Sequence, residues 1–239
     1  MSRVLVLGDL HLPVVHPGYL DFCVDLRKKW KTNTVVAIGD VVDWHSISYH
    51  SKNPNCPAPK DEYKKTRLQI RAWVKAFPNT FVTLGNHDER PGIIAESQGI
   101  PAEFLKTYAE LWGTKGWKWG YDKIIDKVYY CHGTGQSGIH PAWNLAGKML
   151  MSVVMGHCHS RAGIKWRVNP LKRIFAMDVG CGIDIKAFQF AYGKHCKDRP
   201  ILGAGIVIDG DPYYEIMPIG NKEKYAKEKY RGKRSVGNR

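Results

Sequence analysis

Residues 3–11 read Arg-Val-Leu-Val-Leu-Gly-Asp-Leu-His. Four consecutive apolar residues stop at a glycine, and a carboxylate and an imidazole follow two positions apart. A run of about five residues is too short for a helix and reads as a buried strand. The layout recurs: Thr34–Ile38 leads into Gly39-Asp40, Thr80–Leu84 into Gly85-Asn86, Val128–Cys131 into His132-Gly133, and Ser152–Met155 into Gly156-His157. Ile174–Val179 and Gly205–Asp209 predict further strands, and Tyr213–Met217 is placed to pair with the latter across the Asp209-Gly210-Asp211 turn.

Helical periodicity fills the intervals. Apolar residues at three- and four-residue steps predict helices over Gly18–Lys31, over Asp61–Phe77 (stopping before Pro78) and over Pro101–Trp112. His45–Lys60, rich in Pro, Ser and Asn, reads as a loop, and Gly113–Lys123 as a hairpin. Strands alternating with helices argue α/β layers, and the thinning of helices after residue 130 argues a mixed sheet or sandwich. We expect one domain over residues 1–220, with insertions at about 45–78 and 91–123. Residues 221–239 carry eight Lys/Arg against two Glu and read as a basic tail.

Composition bounds the class. The chain has 239 residues, 44% of them hydrophobic, which is ample for a core. No apolar stretch approaches the ~18 residues of a membrane span, and no signal-peptide pattern opens the chain, so a cytoplasmic protein without membrane attachment is expected. The six cysteines contain no Cys-x-x-Cys pair, and reduced thiols are expected. A net charge of +14 favours a polyanionic or phosphorylated partner. Nothing in the sequence sets the oligomeric state.

Each predicted strand end carries a polar group: Asp9 and His11, Asp40 and Asp43, Asn86-His87-Asp88, His132, and His157 with His159. Ligands of open α/β sheets bind in crevices at the carboxyl ends of the strands. Alternate residues in an extended segment face the same way, so Asp9 and His11, or His157 and His159, can converge while Cys158 turns away. Carboxylate, imidazole and amide donors together suit a borderline divalent metal.

Gly-Asp-Leu-His at 8–11, Gly-Asp-Val-Val-Asp at 39–43, Gly-Asn-His-Asp at 85–88, His132, and Gly-His-Cys-His at 156–159 together resemble the calcineurin-like metallophosphoesterase superfamily, over about residues 3 to 160. Among its members the chain looks most like compact stand-alone bacterial and phage enzymes. The resemblance implies a four-layer β-sandwich of mixed sheets flanked by helices. It also implies two divalent cations, one held by Asp9, His11 and His159, the other by Asn86, His132 and His157, with Asp40 between them. His87 would be the catalytic imidazole, oriented or tuned by Asp43. His45 and Asp88 receive no role from the pattern. The implied reaction is in-line attack of an activated water on phosphorus, with charge neutralised at the phosphoryl oxygens. The mixed N/O set suits Mn²⁺ first, and also Fe, Zn²⁺ or Ni²⁺.

The substrate class is argued from charge. Protein Ser/Thr phosphatases continue the second motif with Arg-Gly and have Glu after Asn-His, whereas Trp44-His45 and Asp88 stand here. Arg27-Lys28-Lys29-Trp30-Lys31 and the cations Lys64, Lys65, Arg67, Arg71 and Lys75 read either as a track for a phosphate backbone or as solvated helix faces. Trp117, Trp119 and Tyr121 read either as base-stacking aromatics or as core. Arg90 and Arg161, close to the motifs, are candidate substrate-phosphate ligands. Nucleic acid or nucleotide is the expected substrate, as diester or monoester. The alternatives are a protein phosphatase and a non-enzymatic nucleic-acid binder with a structural metal site; small-ester turnover separates the last from an enzyme.

Overall fold

The computed structural model describes residues 2–49, 54–187 and 198–218. In chain order the strands and helices are β1 Arg3–Leu7, α1 Tyr19–Trp30, β2 Thr34–Ala37, α2 Pro59–Ala76, β3 Phe81–Thr83, α3 Arg90–Ser97, α4 Tyr108–Trp112, β4 Lys118–Gly120, β5 Asp122–Ile125, β6 Val128–Cys131, α5 Pro141–Met149, β7 Ser152–Met155, β8 Ala162–Val168, β9 Arg173–Val179, β10 Gly203–Ile208 and β11 Asp211–Ile216. Short 3₁₀ turns lie at His45–Ile47 and Ala102–Phe104. The expected basic tail at 221–239 lies outside the described residues, as does Cys196. The other five cysteines form no disulfide.

Two mixed sheets result. The first has the order β11-β10-β1-β2-β3-β4 and the second β5-β6-β7-β9-β8. β1 to β4 run parallel, as do β6, β7 and β9, while β5, β8, β10 and β11 pair antiparallel. The alternation inside β1 explains the layering. Val4 and Val6 join Tyr130, Val154 and Met177 between the sheets, whereas Leu5 and Leu7 join Tyr19, Phe22, Ile70 and Trp73 under α1 and α2. A third cluster packs Ala142 and Ala146 of α5 against Val153 and Met155. The order helix, sheet, sheet, helix is the four-layer sandwich that the resemblance implies. Because strands of both sheets bury both faces, they read as continuous apolar runs rather than alternating ones.

Two sequence expectations fail for identifiable reasons. The helix expected over Pro101–Trp112 is interrupted, because Thr107 is an N-cap: its hydroxyl accepts from Glu110 N, and its own N–H donates to Glu110 Oε2. An N-cap needs extended backbone, so helix cannot run through it. The hairpin expected over Gly113–Lys123 is a crossover. β4 pairs parallel to β3 in the first sheet, and β5 pairs with β6 in the second. The hairpin that does form turns at Asp126-Lys127, both with positive φ. That pair lacks the Asn-Gly signature by which such turns are read. Helices α3 and α5, and edge strand β8, were not expected. α3 and α5 begin at a proline or its neighbour, and β8 exposes Lys165, Trp166 and Val168.

Candidate functional site

Parallel strands point their carboxyl ends one way. β1, β2 and β3 therefore deliver Asp9, Asp40 and Asn86 to the same rim to which β6 and β7 of the second sheet deliver His132 and His157. The segments turn sharply there. His11, Asp40 and His157 all have left-handed backbone, with φ of 47°, 44° and 68°. Such residues cost on the order of 1–3 kcal/mol each and concentrate at functional sites. Two glycines make the approach possible. A Cβ on Gly85 would lie 2.2 Å from Asp40 Oδ1, and one on Gly156 would lie 2.2 Å from Asp9 Oδ1. The Gly of Gly-Asn-His and the Gly of Gly-His-Cys-His are thus the cradles of two carboxylates.

Asp40, almost fully buried, is the centre of the cluster. Its Oδ2 lies 3.2 Å from His132 Nε2, 3.6 Å from His11 Nε2 and 3.9 Å from His87 Nε2. Its Oδ1 accepts from His87 N at 2.8 Å. On one side His11 Nε2 faces His159 Nε2 at 3.1 Å, and His159 Nε2 lies 3.1 Å from Asp9 Oδ2. On the other, His132 Nε2 lies 3.2 Å from both Asn86 Oδ1 and His157 Nδ1. Three groups of candidate ligands emerge among the described residues; Asp9–His11–Asp40–His159 and Asp40–His132–His157 share Asp40, and the third is His11–Asp43–His87.

The donors fit a cation on each side. His132 Nδ1 donates to the Ile38 carbonyl at 2.9 Å, and His11 Nδ1 to Asp43 Oδ1 at 2.8 Å. That assigns the protons to Nδ1 and aims both Nε2 lone pairs at oxygen acceptors or another ring nitrogen. Only a positive charge relieves such a convergence, whether a proton or a metal ion. Outer carboxylate or carbonyl partners of this kind are the usual companions of metal-ligating imidazoles. Asp9 Oδ1 is buried and finds no donor among the described residues.

The electrostatics agree. Burial alone would lower the pKa of His132, but the Asp40 and Asp9 carboxylates outweigh it and push it up to about 10. Burial would raise Asp40, yet His132, His87 and His11 hold it well below the usual carboxylate range. His11 and His157 are lowered, first by burial and then by neighbouring imidazoles. His87 is pulled down by burial and raised more by Asp40 and Asp43, ending above the ordinary imidazole value.

Asp43 divides its carboxylate: Oδ1 reaches His11 Nδ1, and also His87 Nδ1 at 3.2 Å. His87 Nδ1 donates to the Asp43 carbonyl at 2.7 Å, so its Nε2 accepts from Arg90 Nη2 at 3.0 Å. Arg90 is tied to the site by the Asp43 and Trp44 carbonyls as well. Arg161 is not brought there in the same way; it pairs with Asp198 at 3.0 Å. Asp88 is a brace: its two oxygens accept from Val42 N and Gly85 N, and burial pushes its pKa up to about 7. Trp117 is core, its Nε1 bound to Phe77 O, which overturns the stacking reading for it; Trp119 is half-buried against that core, its Nε1 bound to Thr114 Oγ1. Of the helix cations, Lys64, Lys65, Arg71 and Lys75 are exposed, whereas Arg67 is occupied by the Leu111 carbonyl.

Two supports escaped the sequence. Buried Glu62 takes His45 N on one oxygen and Ser46 N on the other, both at 2.9 Å, fixing the turn after Asp43. The Tyr19 hydroxyl accepts from Gly8 N and donates to Gly203 O, fixing the turn before Asp9. Glu62 looks like one more helix charge and Tyr19 like one more core aromatic, so no local signal marks either.

The profile of the calcineurin-like phosphoesterases matches residues 2–180. The chain belongs to that family. It is accordingly a metal-dependent phosphoesterase, of a family that works with a pair of divalent ions. The Gene 54 protein of Mycobacterium phage D29 is 23% identical over 251 residues, covering 91% of this chain and 94% of the phage protein. Similar solved structures include vacuolar protein sorting 29 of Cryptosporidium parvum, at 14% identity and TM-score 0.42 over 90% of this chain and 96% of that one. Another is an E. coli phosphoesterase, at 12% identity and TM-score 0.37 over 91% and 100%. Among the described residues no helix is long and apolar enough to cross a membrane.

Proposed function

We propose that this phosphoesterase hydrolyses phosphodiesters or phosphomonoesters of nucleic acid or nucleotides, at the buried cluster centred on Asp40. The observation that carries the site is one carboxylate facing His132 on one side and His11 on the other, inside two donor groups that share it. Asp9, His11 and His159 would hold one cation and Asn86, His132 and His157 the other, with Asp40 common to both. Divalent ions bound there would supply Lewis acidity at the phosphoryl oxygens and lower the pKa of water. Manganese is the first choice for this N/O donor set, with Fe, Zn²⁺ and Ni²⁺ as competitors.

The chain's own groups then divide the remaining work. Asp43 and its carbonyl hold the His87 ring by Nδ1 and raise its pKa; once Nε2 has taken a proton from solvent, the imidazolium can deliver that proton to the leaving oxygen. Arg90 covers Nε2 and is close enough to exchange that contact for a phosphoryl oxygen, which frees the imidazole when substrate arrives. Such proton delivery contributes about 10²–10⁴-fold. Arg161 keeps only a peripheral candidacy. The chain's +14 charge supports a polyanionic substrate. We take residues 1–220 as the catalytic unit and 221–239 as a basic extension.

The test is hydrolysis of bis-p-nitrophenyl phosphate and p-nitrophenyl phosphate with Mn²⁺. His87→Ala is expected to lose turnover while binding manganese, and Arg90→Ala to raise KM. Full metal content without turnover of either ester in the wild-type chain would reject the enzyme. A screen of DNA, RNA, nucleotides and phosphopeptides is expected to favour nucleic acid or nucleotides; preference for phosphopeptides would overturn that assignment.

A further inference from the structure

The three aromatics at 117, 119 and 121 part ways in the structure. Trp117 is buried and Trp119 packs against the same core, whereas Tyr121 is 68% exposed. Tyr121 alone joins β4, an edge strand of the first sheet, to β5, an edge strand of the second. Both attachments lie at the rim of the Asp40 cluster. Gly120 pairs with Thr83, and its carbonyl accepts from Leu84 N at 2.7 Å, just before Gly85 and Asn86. Asp122 pairs with Cys131, just before His132. Neighbouring strands stand about 4.8 Å apart. The Tyr121 backbone is therefore about one strand spacing from the ends of β3 and β6, which bear Asn86 and His132.

The direction of the ring follows from the pleat. Cys131 packs with Ala142 and Ala146 of α5, and Asp122 meets the Tyr129 hydroxyl on that same face. Side chains alternate along a strand. Tyr121 and His132 therefore turn to the opposite face, toward the first sheet, where His132 Nδ1 donates to the Ile38 carbonyl. There the Tyr121 hydroxyl donates to the Glu89 carboxylate, which raises the pKa of the phenol. Glu89 precedes Arg90, whose Nη2 lies on His87 Nε2. The ring is thus held at one end by a one-residue crossover and at the other by a carboxylate two residues past His87. Most of its surface stays open. An open aromatic face stacks a nucleobase without reading its identity. The Glu89 carboxylate opposes a second phosphate at this wall, so the neutral part of a nucleotide suits it while the phosphate goes to the cluster and Arg90.

We propose that Tyr121 is a specificity-determining residue that stacks the base of a nucleotide whose phosphate lies at the Asp40 cluster. The position of the phosphate rests on the function proposed above; the open, anchored ring does not. Adenosine 5′-monophosphate and ribose 5-phosphate share a sugar phosphate and differ by the base. Both are to be tested as inhibitors of bis-p-nitrophenyl phosphate hydrolysis with Mn²⁺, from initial rates. In the wild-type chain the nucleotide is expected to have the lower Ki by about tenfold, the scale of stacking on one aromatic side chain. Tyr121 is exposed, so its substitution leaves the core intact. Tyr121→Ala should bring the two Ki values together by raising that of the nucleotide alone, and Tyr121→Phe should keep them apart. An unchanged Ki ratio in Tyr121→Ala would overturn the stacking, as would equal losses for both phosphates. O-phosphotyrosine that inhibits as strongly as the nucleotide, with the same dependence on Tyr121, would assign the ring to aryl esters and overturn the base. A substrate screen that favours phosphopeptides removes the nucleotide reading, and the Ki ratio then still decides whether Tyr121 binds a base. If the wild-type chain turns over no ester, the enzyme reading falls, and equilibrium dialysis of the same two phosphates with manganese-loaded protein decides Tyr121 instead.

Discussion

Substitution of Gly85 by alanine tests the construction of the site most directly. The added Cβ would sit 2.2 Å from Asp40 Oδ1 and 2.4 Å from Asp40 N. Ordinary contact distances require the carboxylate oxygen to retreat by about 1 Å, and the backbone nitrogen cannot retreat alone. Overpacking of this kind costs about 1–3 kcal/mol. The 2.8 Å bond from His87 N to Asp40 Oδ1 breaks with it, and a hydrogen bond to a charged group contributes about 1.5–3 kcal/mol. At about 2–4 °C per kcal/mol for a chain of this size, Tm should fall by roughly 10 °C. A displacement of about 1 Å at the centre should reduce turnover by about 10²-fold. Gly92 is the matched control, because it lies inside α3 and a Cβ there meets nothing within 4 Å. Gly92→Ala should leave activity unchanged and raise stability by up to about 1 kcal/mol. The measurements are thermal melts in EDTA, manganese titration and turnover of bis-p-nitrophenyl phosphate. A Gly85→Ala protein with wild-type melting and turnover would refute the claim that this glycine is a cradle for Asp40.

Three further outcomes follow from the same contacts. Glu62→Ala removes the carboxylate that accepts from His45 N and Ser46 N; urea denaturation should show a loss of about 2–5 kcal/mol, and kcat should fall through the displaced Asp43 turn although Glu62 is not in the cluster. Asp178, pushed up to about 7 chiefly by burial, binds its proton more tightly folded than unfolded. It therefore makes stability decline as pH rises from about 4 to 7 and flatten above; Asp178→Asn should remove that component of the slope, and parallel curves for the two proteins would contradict it. Removal of metal with EDTA should abolish turnover, and manganese at about 100 times its Kd should restore it while adding about 2.7 kcal/mol of stability, read as a rise in Tm.

Much of the cluster was legible because its signals are local. A buried strand ends where apolar side chains stop, and the group just beyond is written in the next two residues. Gly8-Asp9, Gly39-Asp40, Gly85-Asn86 and Gly156-His157 each carry that signature. The failures were local as well. Thr107 and Glu110 spell a capping box inside an apparently continuous helical period, and the period outweighed it. Asp126-Lys127 forms a tight turn with Lys in place of the glycine that marks an Asp-Gly turn, because the pairing of β5 with β6 imposes it.

Long-range neighbours could not be read at all. Arg90 and Arg161 have similar sequence contexts, each just past a motif, yet one lies on His87 Nε2 and the other on Asp198. Glu62 and Lys64 are neighbours on one helix, but the first is buried against the turn after Asp43 and the second is solvated.

The sequence by itself determined which donors exist, their order, and that each follows a buried strand, because side-chain chemistry and strand periodicity act over a few residues. Only the tertiary structure decided that Asp43 serves His11 as well as His87, that Arg90 lies on His87 Nε2, and that Gly85 and Gly156 must lack a Cβ. Those facts depend on which strand ends become neighbours when two sheets bury a common face, and that is settled by packing among residues distant in sequence.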